Sequence, residues 1–352
     1  MNARETAVDS LAPANDAVVG HDRVPVQALP LGDSVARVDG AFPLHWGGSL
    51  DSPRVAFHLA GPAEAPVVAV LGGISADRVV AAEEGGWWAA GIGQGRGVDT
   101  RRWRVLGIDY LGGSGDSTGP SRADSRFATL STYDQAAALL VVLDHLKVAK
   151  LHAIVGASYG GMVALAFAQR YPERVERLVV MSAAEKAHPL STAWRSVQRE
   201  IVRFGLQHGD GPGGLKLARA LAMATYRSGQ EFKERFSGSP ATDNDHVVRF
   251  PVEHYLHARG DAYAARHVPA AFLCLSESID LHAVEASAIR TPTTLIAVTE
   301  DQLVPLADMR QLAARLPCAR LQVIDSLYGH DAFLKEQEQL LTLFPEALQW
   351  LP

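Results

Sequence analysis

The stretch HAIVGASYGGMVALAFAQRYPERV, residues 152 to 175, decides the fold. An apolar run leads directly into Gly156-Ala157-Ser158-Tyr159-Gly160, and helical spacing follows until Pro172, which lacks a backbone donor and ends a helix. A strand, a sharp turn carrying serine and then a helix make a nucleophile elbow. The turn forces the serine into strained backbone, and the glycines two before and two after it remove side chains that would collide there. The pentapeptide alone is common; the strand before it and the helix after it make this one informative.

Outward from the elbow, further short apolar runs read as strands buried on both faces of a parallel sheet: PVVAVLGG (66–73), RWRVLGIDY (102–110), ERLVVMS (176–182), TTLIAVT (293–299) and RLQVID (320–325). Helical spacing over Thr132 to Lys147 and Tyr159 to Tyr171 alternates with them, which predicts an α/β, mostly parallel, doubly wound sheet. The alternation stops between about Ala187 and Arg290, where TAWRSVQREIVRF and GLKLARALAMATYR have helical periodicity. This segment reads as a helical lid over the carboxyl edge of the sheet, where open α/β sheets place ligands. The expected organisation is an N-terminal extension (1–40), the first part of the core (41–186), the lid (187–290) and the second part of the core (291–352).

A serine hydroxyl becomes a good nucleophile only when a base takes its proton, and after an elbow the acid and the histidine follow in that order. The strand TTLIAVT ends in Glu300-Asp301, and RLQVID leads to Gly329-His330-Asp331. The expected triad is Ser158, His330 and Asp301, with Glu300 the alternative acid; Asp301 is favoured because it lies further past the strand end. Asp301 would orient His330 and stabilise its imidazolium form. Two backbone N–H groups should receive the carbonyl oxygen: that of Tyr159, next to the nucleophile, and that of Ile74 in the loop VLGGISADR after an early strand. Together these features specify the α/β-hydrolase fold, which hosts esterases, peptidases, dehalogenases and acyltransferases and does not choose among them.

Composition removes other classes. With 352 residues the chain has room for one large α/β domain with an insertion, or for two domains. Its 33 Lys+Arg against 39 Asp+Glu, net −6, with no long basic run, leave no footprint for nucleic acid. The longest apolar run, Ala136 to Leu143, falls far short of the roughly 20 residues of a membrane span. The opening MNARETAVDSLAPAND carries acids and lacks the apolar centre of a signal peptide, which points to the cytoplasm. Cys274 and Cys318 stand alone, without metal-ligand spacing, and read as small buried hydrophobes; no metal or bound cofactor is expected.

Several segments together resemble the homoserine O-acyltransferases of methionine biosynthesis built on the α/β-hydrolase fold: GGWWAAGIGQGRGVDTRRWRVLGIDYLGGSGDSTGP (85–120), GASYGGMVALAFAQRYPERV (156–175), SVQREI with LARALAMATYR in the lid, and DQLVP with YGHDAFL near the end. The resemblance runs from about Phe42 to Phe333. It implies ping-pong transfer of an acyl group from acyl-coenzyme A through Ser158 to the side-chain hydroxyl of L-homoserine, and a homodimer. It also implies that Arg219, Tyr226 and Asp331 grip the amino acid; Arg219 and Tyr226 lie seven residues apart, two helical turns, and so share a face. The chain departs from the family pattern in having Tyr159 where Met is usual, VLGGIS where HALTG is usual, and LGGSGDS in a segment that often carries Cys. The first two departures are expected to touch the acyl pocket. Leu303, two residues after the triad aspartate, stands where succinyl-using relatives carry arginine, which favours acetyl over succinyl unless Arg78 or another cation turns inward. O-Succinyl transfer to homoserine, serine as acceptor, and a plain serine hydrolase such as an esterase are the alternatives.

Overall fold

The computed structural model describes residues 32–242 and 246–351. Its central sheet has eight strands: β1 (Gly32–Arg37), β2 (Arg54–Ala60), β3 (Val67–Leu71), β4 (Arg104–Ile108), β5 (Ala153–Ala157), β6 (Leu178–Met181), β7 (Thr293–Val298) and β8 (Ala319–Ile324). Their spatial order is β1-β2-β4-β3-β5-β6-β7-β8. Strand β2 is antiparallel to both neighbours, and β3 to β8 run parallel.

Burial on both faces explains the unbroken apolar runs. Along β5, Ile154 joins one hydrophobic cluster while Ala153, Val155 and Ala157 join the other, because successive side chains point to opposite faces. Helices α1 (Thr132–His145) and α2 (Tyr159–Arg170) fill the first cluster with Leu139, Val142, Val163 and Phe167. A reciprocal cap starts α1: Asp134 accepts from the Ser131 N–H at 2.7 Å, satisfying a donor the helix itself leaves open.

Between β6 and β7 the chain leaves the sheet for five helices: α3 (Pro189–Gln207), α4 (Gly211–Tyr226), α5 (Gly229–Phe236), α6 (Pro251–Ala264) and α7 (Pro269–Asp280). Val202, Leu215, Ala218, Tyr263 and Phe272 form a small core of their own within this lid. After β7 come α8 (Leu306–Arg315), the short α9 (Ala332–Lys335) and α10 (Gln337–Gln349). Leu340, Phe344 and Leu348 of α10 pack with Trp88 in the second cluster. No described helix is long and apolar enough to cross a membrane.

Two expected boundaries move. Part of the segment assigned to the N-terminal extension, 1–40, is β1, whose Gly32 to Arg37 pair with Leu59 to Arg54 of β2; residues 1–31 lie outside the described residues. At the other end of the lid, Ala286 and Ile289 are buried in the main cluster, so helices of the lid end at Asp280, ahead of the expected 290. The edge strand GDSVAR carries too few apolar residues to announce its pairing, whereas LHAVEASAIR (281–290) is apolar enough to be buried but forms no regular element beyond a short 3-10 turn.

Candidate active site

Ser158 sits between β5 and α2 with φ +55° and ψ −123°, a backbone conformation that costs a non-glycine residue energy. Its own N–H donates to Met181 O at 2.9 Å, and its carbonyl accepts from Gly161 N at 2.9 Å, so the turn is held from both sides. A Cβ on Gly160 would lie 2.1 Å from Leu71 O, and one on Gly156 would lie 2.4 Å from Gly160 O. Backbone passes through the space where both side chains would be.

His330 Nε2 is 2.8 Å from Ser158 Oγ, and His330 Nδ1 is 2.8 Å from Asp301 Oδ2. The other oxygen of Asp301 accepts from the N–H groups of Leu303 and Val304, each at 2.9 Å. Glu300 is exposed and Asp301 buried, so the structure places Asp301 against the histidine. Burial lowers the proton affinity of His330, but the charge and hydrogen bond of Asp301 and the charge of Asp331 outweigh it, even with Arg195 opposing. The net effect lifts its pKa above the ordinary histidine value. A hydroxyl, an imidazole and a carboxylate in this line can move a proton off the serine.

Gly73 and Ile74, in the loop after β3, line the same pocket as Ser158. The N–H of Ile74 and that of Tyr159, at the first turn of α2, donate to no other group among the described residues, which leaves both open for an oxyanion. The loop is anchored from behind: Tyr110 donates to Gly72 O at 2.8 Å, and the Tyr110 ring meets the Tyr159 ring edge-on at 5.0 Å. Tyr159 does not line the pocket. Its side chain is 1% exposed and its hydroxyl lies 2.6 Å from Ser278 Oγ on α7, so the expectation that this departure touches the acyl wall is corrected. The side chain of Tyr159, at the start of α2, turns into the core.

Arg219, Tyr226 and Asp331 converge on that pocket, a cavity of about 210 Å³ beneath the lid. The Arg219 guanidinium stacks over the rings of Tyr226 and Tyr263 at 5.1 and 4.7 Å, and its Nη1 is 3.4 Å from Tyr226 Oη. Asp331 accepts from Arg227 Nε at 2.8 Å, and Arg227 Nη1 donates to both oxygens of Glu231 at 2.7 and 2.9 Å. Arg227 is 7% exposed and was not among the expected site residues. Its only trace in the sequence is the four-residue spacing to Glu231, which is common on helices. Burial works against its charge, and Asp331 with Glu231 more than restores it.

Arg78 does not turn inward. Its guanidinium lies 2.6 Å from Asp109, 2.8 Å from Asp116 and 3.0 Å from Asp33, away from the Ser158 pocket. Three carboxylates hold it beneath the loop that carries Ile74. The pocket wall instead includes Ser182, Arg195 and Gln198, none of them foreseen.

The α/β hydrolase fold family model matches residues 66–337. The chain is 43% identical over 301 residues, 84% of this chain and 79% of the relative, to the homoserine O-succinyltransferase of Xanthomonas campestris pv. campestris. To the homoserine O-acetyltransferase of Thermobifida fusca it is 34% identical, covering 87% of this chain and 91% of that one. Among solved structures, esterase E22 superposes with a TM-score of 0.80 over 90% of this chain and 99% of its own, at 17% identity, a likeness of fold alone. Relatives this similar over this much of the chain, on a fold that recurs in esterases, show that the chain belongs to the homoserine O-acyltransferase family of the α/β-hydrolase fold.

Proposed function

We propose that the protein transfers an acyl group from acyl-coenzyme A to the side-chain hydroxyl of L-homoserine, a step of methionine biosynthesis, through an acyl-Ser158 intermediate. One observation carries this reading: the Ser158–His330–Asp301 line opens into the same pocket as an arginine and an aspartate suited to the carboxylate and ammonium of an amino acid.

His330 Nε2 takes the Ser158 proton as Oγ attacks the thioester carbonyl. The oxyanion rests on the N–H groups of Ile74 and Tyr159; the C–S bond breaks, and the thiolate of coenzyme A leaves with the proton from His330. In the second half, the homoserine hydroxyl gives its proton to His330 and attacks the acyl-serine ester. Ser158 departs and recovers that proton. Asp301 stays ionised throughout and holds the imidazole in one orientation. Arg219 takes the acceptor carboxylate, Tyr226 keeps the guanidinium in place, and Asp331 faces the ammonium. The lid keeps water from the acyl-enzyme, which would otherwise be hydrolysed.

The setting we propose is a cytoplasmic homodimer without a bound metal or cofactor. Leu190, Val197 and Phe204, seven residues apart along α3, are 50, 53 and 64% exposed, an apolar stripe suited to a second copy.

The test is release of coenzyme A from acetyl- and succinyl-coenzyme A with homoserine, serine or no acceptor, together with mass spectrometry of the protein. Homoserine-dependent release and one acyl group on native protein, absent from Ser158→Ala, are expected. Release that is equally fast without an acceptor would make the protein a hydrolase; dependence on serine would change the acceptor.

A further inference from the structure

Ser182 follows β6 immediately, one residue past the carbonyl that accepts the N–H of Ser158. Three of its features are unusual together. Its φ is +52°, it is 1% exposed, and its hydroxyl has no hydrogen-bond partner, although it lines the Ser158 pocket. A buried hydroxyl without a partner is costly, and a strained backbone that persists beside a nucleophile points to use. Gln198 on α3 is also buried, at 4% exposed, and lines the same pocket with a side-chain amide that makes no hydrogen bond among the described residues.

The charge at this wall is unbalanced. Arg195 Nη2 is 2.6 Å from Asp280 Oδ1, and Arg199 Nη1 is 2.6 Å from Asp280 Oδ2. Two guanidinium groups share one carboxylate, and the side chains of all three are 10 to 12% exposed. One positive charge is therefore in excess where solvent is scarce, and Arg195 is the member that lines the pocket. Neither acid on the pocket wall pairs with Arg195: Asp331 accepts from Arg227 through Oδ2 and is assigned above to the acceptor's ammonium, and Asp308 sits in the first turn of α8, where the helix end favours it.

We propose that Ser182, Gln198 and Arg195 form a carboxylate subsite for the far end of the acyl group, making the preferred donor a dicarboxylic thioester, succinyl-coenzyme A, over acetyl-coenzyme A. This rests on the acyl-transfer reading above. A hydroxyl, a primary amide and a guanidinium all offer N–H or O–H to a carboxylate, which only accepts. An acetyl group would leave the three groups facing a methyl. The far carboxylate takes no part in the chemistry: the thioester carbon passes to Ser158 and then to the acceptor as described, with coenzyme A leaving as the thiol. The expectation of an acetyl donor rested on Leu303, next to Asp301. A cation from α3 reaches the pocket without passing through that position.

The experiment measures acylation of Ser158 in the absence of acceptor, by coenzyme A release and protein mass, with succinyl-, acetyl- and butyryl-coenzyme A. Butyryl has the length of succinyl without its charge. The native enzyme should acylate from succinyl-coenzyme A with the highest kcat/KM. Ser182→Ala and Gln198→Leu should each lower the succinyl-to-acetyl ratio by about tenfold or more, the scale of a hydrogen bond to a charged group. Arg195→Gln should lower it further; if that variant fails to fold, the other two, which break no existing hydrogen bond, still decide. Equal or faster acylation from acetyl- or butyryl-coenzyme A by the native enzyme overturns the subsite. So do variants that slow all donors alike, which would place these groups on the coenzyme portion or on lid structure. Homoserine-dependent release from acetyl-coenzyme A alone removes the subsite and leaves the acyl-transfer reading standing, whereas no acyl-enzyme from any donor removes that reading itself.

Discussion

Asp301 holds His330 with one carboxylate oxygen and its own loop with the other: Oδ2 meets His330 Nδ1 at 2.8 Å while Oδ1 accepts from Leu303 and Val304 N–H. The same carboxylate thus sets the direction of the imidazole and resists being displaced. Asp301→Asn should lower the acylation rate by about four orders of magnitude, because the wrong histidine tautomer then faces Ser158. The pH profile adds a second reading. The base works only when neutral, and His330 has a raised pKa, so native activity should fall as pH drops through a value above the ordinary 6.5. Without the Asp301 charge, burial dominates, and the acid limb of the residual activity should move to lower pH. An acid limb that stays in place would mean that another group titrates.

Arg219 makes no ion pair among the described residues and is steadied by two aromatic rings, so its charge is open to a ligand. Arg219→Ala should raise the KM for homoserine about ten- to a hundredfold, as expected for losing a charge-assisted bond worth about 1.5 to 3 kcal/mol. Acyl-enzyme formation should stay close to native. Equal loss in both half-reactions, measured by single-turnover mass spectrometry, would make Arg219 structural.

Arg227 stands between Asp331 and Glu231, and all three are buried. Arg227→Met would leave the buried Asp331 without its ion-pair partner while Glu231 keeps Arg235 at 2.8 Å, a change that costs about 3 to 5 kcal/mol. Denaturant melts should show that loss, and it should grow smaller when Asp331→Asn is added. A native-like melt for Arg227→Met would mean that solvent already screens this network.

The α3 stripe gives a prediction on assembly. Phe204 is 64% exposed, and its ring meets only that of His208 on the surface, 4.1 Å away, so a charge there leaves the core untouched. Phe204→Glu should yield a monomer in analytical ultracentrifugation with an unchanged circular dichroism spectrum. A native protein that is itself monomeric at micromolar concentration would remove the dimer.

What the residues announced and what they concealed follow from how far each signal reaches. The elbow was legible because strand, glycines, serine and helix are contiguous, and the triad because its acid and histidine follow the last two strands in the order the elbow requires. Strand β2 was not, since His58 interrupts RVAFHLA; in the structure that histidine is held by Asp33 and Glu84, both at 2.8 Å. The pairing of Arg227 with Asp331 spans 104 residues and exists only once the lid docks. Ser182 and Gln198 were invisible for a related reason: ordinary polar residues become informative only when burial leaves them without partners.

Tyr159 is where a local departure from the family pattern met a tertiary contact that changes its meaning. Burial raises the pKa of its hydroxyl well above the usual tyrosine range, so the group stays protonated and acts as a hydrogen-bonding tether between the start of α2 and Ser278 on α7. Its ring also braces Tyr110, which in turn holds the carbonyl of Gly72 in the loop bearing Ile74. Tyr159→Phe keeps the ring and removes the tether, leaving Ser278 Oγ buried without that partner at a cost of about 1 to 3 kcal/mol. Tyr159→Met also removes the edge-on ring contact, worth about 0.5 to 1.5 kcal/mol beyond its area, and should be the less stable of the two. Because the side chain does not line the pocket, both variants should keep the native ratio of kcat/KM between succinyl- and acetyl-coenzyme A. Thermal melts and donor competition on the same preparations separate these outcomes. A changed donor ratio with an unchanged melt would return Tyr159 to the acyl wall.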